Sequence, residues 1–265
     1  MSGESQACCR NERCVAGLIG TLDLCRRLPT FHWKCGTSLR GGSIIRRVPV
    51  NDYIQKAVNR LKLTDSFYRY RLMTQRRRYR EWLRGGKPLP PPHIVKQETV
   101  RAYAHVFDIA VLVETGTYLG EMIEAMREGF DEIYSIELGF DLARNAQRRF
   151  ALHKNITILQ GNSADILRHL LPQITRPAVF WLDAHYSGGT TADDGPGSPL
   201  ETELSLVLSH PLHQRHVVLV DDARYLGHEP GYPPLRRIRE IASAAGLRIC
   251  EVRNDILRIH DAPPG

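Results

Sequence analysis

Apolar positions follow two regimes along the 265-residue chain. From Asp52 to Arg84 they recur at helical spacing: Ile54, Val58 and Leu61 share one face, and Tyr68, Leu72, Tyr79 and Leu83 continue it. Gly85-Gly86 ends that predicted helix, and the run from Pro88 to His93 reads as a stiff extended linker. From Gln97 onward, short apolar runs alternate with amphipathic stretches. The pattern predicts strands at Ala110–Glu114, Glu132–Glu137, Ile156–Leu159, Ala178–Leu182 and Val217–Val220. Between and after them it predicts helices over 97–107, Leu119–Glu128, 141–151, 164–170, Leu200–Ser209 and 234–245. The end, LRICEVRNDILRIH, predicts two short strands joined by Arg253-Asn254-Asp255. Alternating strands and helices argue for an α/β fold: a doubly wound, mostly parallel sheet covered on both faces. A terminal strand pair with no helix between its members predicts an antiparallel edge. Residues 1–50 show no sustained periodicity, and little fixed structure is expected there.

Charge sharpens this division. The formal net charge of +7 hides an asymmetry. Residues 1–96 carry 20 Lys and Arg against 6 Asp and Glu, a charge of +14, whereas residues 97–265 carry 16 against 23, a charge of −7. The expected organisation is a poorly ordered arm over 1–50, a basic helical extension with a Pro-rich linker over 51–92, and an acidic α/β domain over 93–265. The 42% hydrophobic and 25% charged composition excludes a wholly disordered chain, a collagen and a disulfide-knotted miniprotein. Cys8, Cys9, Cys14, Cys25 and Cys35 crowd the arm, and their spacing, even with His32, fits no C-x2-C zinc pair. Free thiols in a reducing compartment, hence a cytoplasmic protein, are the expectation. No apolar run approaches the ~20 residues of a membrane-spanning helix. The stretch Gln75 to Arg80, QRRRYR, is either a solvated helix face or a contact for an anionic partner.

Candidate chemistry gathers at the predicted strand ends. The first strand runs into VETGTYLGEM, where Glu114, Gly116, Thr117 and Gly120 bracket a strand-to-helix turn. Glycine there lets backbone approach a ligand, though such turns also serve packing. Glu137 closes the second strand, 23 residues after Glu114, where an acid can hydrogen-bond ribose hydroxyls. Asn162 and Ser163 follow the third strand and either read a nucleoside base or cap the next helix. Asp183 follows the fourth strand, Asp221-Asp222 the fifth, and adjacent strands lie ~4.8 Å apart, so these carboxylates converge on one mouth. They form a candidate Mg²⁺ site; the alternative gives Asp222 to capping and Asp183 to orienting a cofactor. His185, just beyond, is the candidate general base by its ordinary pKa. Lys154 precedes the third strand, away from the strand ends, and is set aside.

In this order VETGTYLGEM, IYSIEL, QGNSAD, FWLDAHYSGG and LVDDARYLG resemble class I S-adenosylmethionine-dependent methyltransferases, and more closely a bacterial group of polysaccharide and sugar O-methyltransferases. The resemblance covers about Pro88 to Ile259 and implies a seven-stranded sheet. It implies that Glu114, Gly116, Thr117 and Gly120 hold the cofactor, that Glu137 takes the ribose, and that Asn162 and Ser163 take the adenine. Many relatives have Asp where this chain has Asn162. The resemblance further implies that Asp183 lies near the methionine part and that Asp183, Asp221 and Asp222 hold Mg²⁺, as in some sugar and catechol O-methyltransferases. The activity implied is methyl transfer to a sugar, glycan or other small hydroxyl acceptor, with His185 or Asp183 handling the proton. Two rival readings are an RNA or protein methyltransferase using the basic helix, and a non-catalytic cofactor-binding module.

Overall fold

The computed structural model describes residues 65–183, 199–229 and 232–262. All of them belong to one compact unit, Val48–Gly265. The expected arm over 1–50 and the start of the predicted 52–84 helix lie outside the described residues.

Seven strands form one sheet: β1 Val111–Thr115, β2 Glu132–Glu137, β3 Ile156–Gln160, β4 Val179–Leu182, β5 Val217–Val220, β6 Ile249–Arg253 and β7 Ile256–His260. Their order is β3-β2-β1-β4-β5-β7-β6. The first five strands are parallel, and β7 inserts antiparallel between β5 and β6. This is the sheet that the sequence pattern and the resemblance imply, and the antiparallel pair sits at its edge. The hairpin turns on Asn254 and Asp255 alone, with φ of 52° and 61°. A two-residue loop with both residues left-handed matches the twist of the strands it joins.

Helices cover both faces. The described ones are α1 Asp65–Arg84, α2 His93–Phe107, α3 Glu121–Met126, α4 Phe140–Phe150, α5 Ser163–Leu170, α6 Leu200–Leu208 and α7 Leu235–Ala244. Because period 2 carries alternate strand residues to opposite faces, β1 supplies two cores. Val111 and Val113 join one core with α5, α6 and α7; Leu112 joins the other with α2, α3 and α4. Strands β1, β4, β5 and β7 are buried throughout, and the central parallel strands β4 and β5 accordingly read as continuous apolar runs. The border strands β3 and β6 keep exposed positions.

Helix α2 begins at His93, four residues before the predicted start at 97. Its N-cap is Pro92, with φ −59° and ψ 148°. A proline run cannot enter a helix interior, but it leads into a first turn without cost. Lys96, counted by charge with residues 1–96, therefore sits in the first turn of a core helix. Packing of α2 over β4 buries Val100, Ala104 and Phe107. The basic extension is also tied down: Trp82 is buried, its indole N–H donates to the Pro88 carbonyl at 2.8 Å, and Arg71 Nε pairs with Glu121 Oε1 at 2.8 Å.

Candidate active site

Strand register builds the site. Thr115 pairs with Leu182 across β1 and β4, and Leu182 pairs with Val220 across β4 and β5. One residue further, Gly116, Asp183 and Asp221 therefore stand in a row at the carboxyl ends of three adjacent strands. The ladder continues through them: Asp183 N–H donates to the Thr115 carbonyl at 3.1 Å, and Asp221 N–H to that of Leu182 at 3.0 Å. The strand order reverses direction between β1 and β4, where open α/β sheets place their ligand crevice.

The turn from β1 to α3 is held from several sides. Gly116, Tyr118 and Gly120 all have positive φ, at 87°, 46° and 69°. A Cβ on Gly120 would lie 2.8 Å from Phe150 Cε2, so this glycine also lets α4 pack close. Arg149 of α4 donates to the Leu119 carbonyl at 2.9 Å. Gln97 of α2 donates to that of Glu121 at 3.2 Å. Glu137, at the end of β2, accepts the Tyr118 N–H on Oε2 and the Gly139 N–H on Oε1, both at 2.8 Å. Burial raises its pKa, and these two donors pull it back.

Glu114 and Thr117 are buried side chains joined through Ser135. The Ser135 hydroxyl donates to Glu114 Oε2 at 2.5 Å and lies 2.6 Å from Thr117 Oγ1. Burial pushes Glu114 up to about 8, so it is largely a neutral acid at pH 7. Asn162 is the N-cap of α5, its side chain accepting the Asp165 N–H at 3.1 Å, and Ser163 is buried. The capping role weighed for Asn162 is thus present in the structure. A further acid went unnoticed in the sequence because its position reads as ordinary amphipathic helix. Glu203, in the first turn of α6, is fully buried, and neither carboxylate oxygen has a hydrogen-bond partner among the described residues. Burial pushes it up to about 7; the neighbouring Ser163 and Thr115 hydroxyls soften the shift without reaching hydrogen-bond geometry.

The predicted acidic cluster is present. Asp183, Asp221 and Asp222 each place a carboxylate oxygen within 4.8 Å of the others. Asp222 is left-handed at φ 52°, and its N–H donates to Asp221 Oδ1 at 2.7 Å. Between two of the acids stands a cation that strand-end reasoning did not anticipate: Lys96 Nζ lies 2.5 Å from Asp221 Oδ2 and 3.2 Å from Asp222 Oδ1. Arg224 Nη1 reaches the same Asp222 oxygen at 2.9 Å and also pairs with Asp255 Oδ2. Burial works against the Lys96 ammonium, but Asp221, Asp183 and Asp222 outweigh it and hold its pKa above the ordinary lysine range. Burial likewise raises Asp183, which remains partly open to solvent, well above the carboxylate range; Asp221 adds to this and Lys96 offsets part. Burial sets Asp221 at about 6 despite Lys96, whereas Lys96 and Arg224 overcome burial to hold Asp222 low.

Tested against Mg²⁺, this donor set does not fit as it stands. The ion needs carboxylate oxygens at ~2.0–2.1 Å around an open centre, and the ammonium of Lys96 already takes the point shared by Asp221 and Asp222. His185 lies outside the described residues.

No family model matches the chain, and no curated protein matches it. Among solved structures, it is similar to the O-methyltransferase TomG from Streptomyces achromogenes, involved in tomaymycin synthesis and solved with S-adenosylmethionine. The identity is 16% and the TM-score 0.47, over 71% of this chain and 90% of that one. It is also similar to an O-methyltransferase from Bacillus cereus in complex with S-adenosylhomocysteine, at 15% identity and a TM-score of 0.47, over 79% of this chain and 100% of that one. A third is the Podospora anserina methyltransferase PaMTH1, bound to S-adenosylhomocysteine, at 15% identity and a TM-score of 0.46, over 83% and 99% of the two chains. The chain resembles these three; what it does has to follow from its own residues.

Proposed function

We propose that this chain is an S-adenosylmethionine-dependent methyltransferase acting on a hydroxyl of a sugar, glycan or other small neutral acceptor. The observation that carries the reading is Glu137, fixed at the end of β2 by the backbone of the β1–α3 turn through Tyr118. Each of its oxygens accepts one backbone N–H and keeps capacity for another donor, which suits the two hydroxyls of a ribose. Gly116 and Gly120 keep the neighbouring turn low, and Asn162 with Ser163 border the adenine side. When bound, the cofactor supplies a methyl group on a sulfonium, open to in-line displacement.

The residues of this chain then have three tasks. They hold the acceptor hydroxyl in near-attack geometry, where most of the rate gain of such a transfer arises. They exclude water from the crevice. They remove the hydroxyl proton, for which Asp183 and His185 are the assigned groups; burial, with Asp221 beside it, holds Asp183 above the ordinary carboxylate range and makes its ionised form a stronger base. The charge of −7 over residues 97–265 favours a neutral acceptor over a polyanion. Calorimetric titration with S-adenosylmethionine and S-adenosylhomocysteine tests the reading, followed by label transfer to a panel of sugars and glycans. Absence of binding overturns it, and binding with no transfer to any acceptor favours a non-catalytic cofactor module.

A second reading rests on α1, where Arg76, Arg77, Arg78 and Arg80 are all exposed. That surface suits an anionic partner, and an RNA acceptor would be retained on the protein in a salt-dependent manner.

A further inference from the structure

We propose that Lys96 is the resident cation of the Asp183–Asp221–Asp222 cluster, standing where such carboxylates would otherwise hold a divalent metal ion, so that the site works without one. The metal-free activity rests on the methyltransferase reading; the placement of Lys96 does not.

Three observations carry it. First, the ammonium is shared rather than merely near, at 2.5 Å from Asp221 Oδ2 and 3.2 Å from Asp222 Oδ1. A second cation cannot use those same two oxygens without displacing it. Second, other donors share the same acids: Asp221 Oδ1 takes the Asp222 N–H, and Asp222 Oδ1 also takes Arg224. Third, the lysine is built in. It projects from the first turn of α2, a helix whose other residues Val100, Ala104 and Phe107 are packed into the core, and its own side chain is only 15% exposed. An ammonium buried in this manner is a fixed charge, whereas a metal ion would exchange with solvent. Removing the lysine leaves three close carboxylates with Arg224, on Asp222, as the remaining paired cation, a donor set of net negative charge to which a hard divalent cation is attracted. Lys96 is accordingly a positioning residue, balancing and orienting the acids that line the crevice.

The test is Mn²⁺ binding by the full chain, read from the loss of the free-ion resonance in electron paramagnetic resonance. Wild type is expected to bind no Mn²⁺ up to about 1 mM, while Lys96→Ala acquires one site of roughly tenfold or higher affinity. Adding Asp221→Asn to Lys96→Ala should abolish that site, and Lys96→Arg should not create it. Stoichiometric Mn²⁺ binding by wild type overturns the proposal, and so does a folded Lys96→Ala variant that binds none. Should Lys96→Ala fail to fold, Lys96→Gln takes its place and wild type still decides. The readout needs neither cofactor nor acceptor. Failure to bind S-adenosylmethionine therefore overturns the methyltransferase reading alone, and wild-type Mn²⁺ binding overturns the Lys96 proposal alone.

Discussion

The Glu137 carboxylate accepts the Tyr118 N–H at 2.8 Å, tying the end of β2 to the turn that follows β1. The contact bridges 19 residues of sequence and fixes the acid beside a backbone that no side chain could pin as closely. Glu137→Ala should weaken S-adenosylmethionine binding by about 1.5–3 kcal/mol, roughly tenfold to more than a hundredfold in Kd. It should also lower Tm, because the Tyr118 and Gly139 donors lose their acceptor. Glu137→Gln keeps an acceptor for one of them and should recover part of the Tm but less of the affinity. Calorimetry and thermal melts on both variants separate the two effects; unchanged affinity in both would remove Glu137 from the site.

Gly120 carries two constraints at once, a left-handed backbone and Phe150 pressed against it. Gly120→Ala should cost about 1–3 kcal/mol of stability. Pairing it with Phe150→Leu should relieve the steric part and leave the backbone part, so the double-mutant cycle should show favourable coupling between the two changes. Additive losses in denaturant melts would mean that α4 shifts freely to accommodate the methyl.

Glu203 sets a pH dependence of stability. Its folded-state pKa of about 7 lies above the ordinary 4.5, so the folded protein holds a proton that the unfolded chain releases between those values. Stability should therefore fall as pH rises from about 4.5 to about 7 and stay flat above, by an amount on the order of 3 kcal/mol for this residue. Glu114, at about 8, acts in the same direction and extends the fall upward. Glu203→Gln should be more stable relative to wild type at pH 8 than at pH 5. Equal differences at both pH values, from urea melts, would show that Glu203 is ionised in the fold or relieved by a partner.

Arg71, paired with Glu121, and the packing of α1 on α2 join the basic extension to the domain. The lack of an apolar face in residues 1–50 predicts that they can be removed with the domain intact. Deletion through Arg84 is different. It removes the buried Trp82 and the packing of α1 on α2 and strips Glu121 of Arg71, and should cost about 2–4 kcal/mol relative to the shorter deletion. Equal Tm values for the two truncations would place α1 outside the cooperative unit.

Much of this protein was legible in one dimension. Period and punctuation placed the strands within a residue or two, because buried parallel strands read as apolar runs and their ends as glycine or acid. The acids at the ends of β1, β2, β4 and β5 were visible because strand ends are local features and parallel strands bring their carboxyl ends to one side. The same local view counted Lys96 among the excess basic charge of residues 1–96 and could not see that Glu203 is buried. Lys96 meets Asp221 across 125 residues, through a helix that starts earlier than its apolar period. No pattern in sequence measures which charges a fold brings within 3 Å or seals from water. The chain by itself determined the elements and the row of strand-end acids. Only the tertiary packing of α2 over β4 decided what neutralises that row, because ion pairing depends on distance in space and desolvation on the whole surrounding shell.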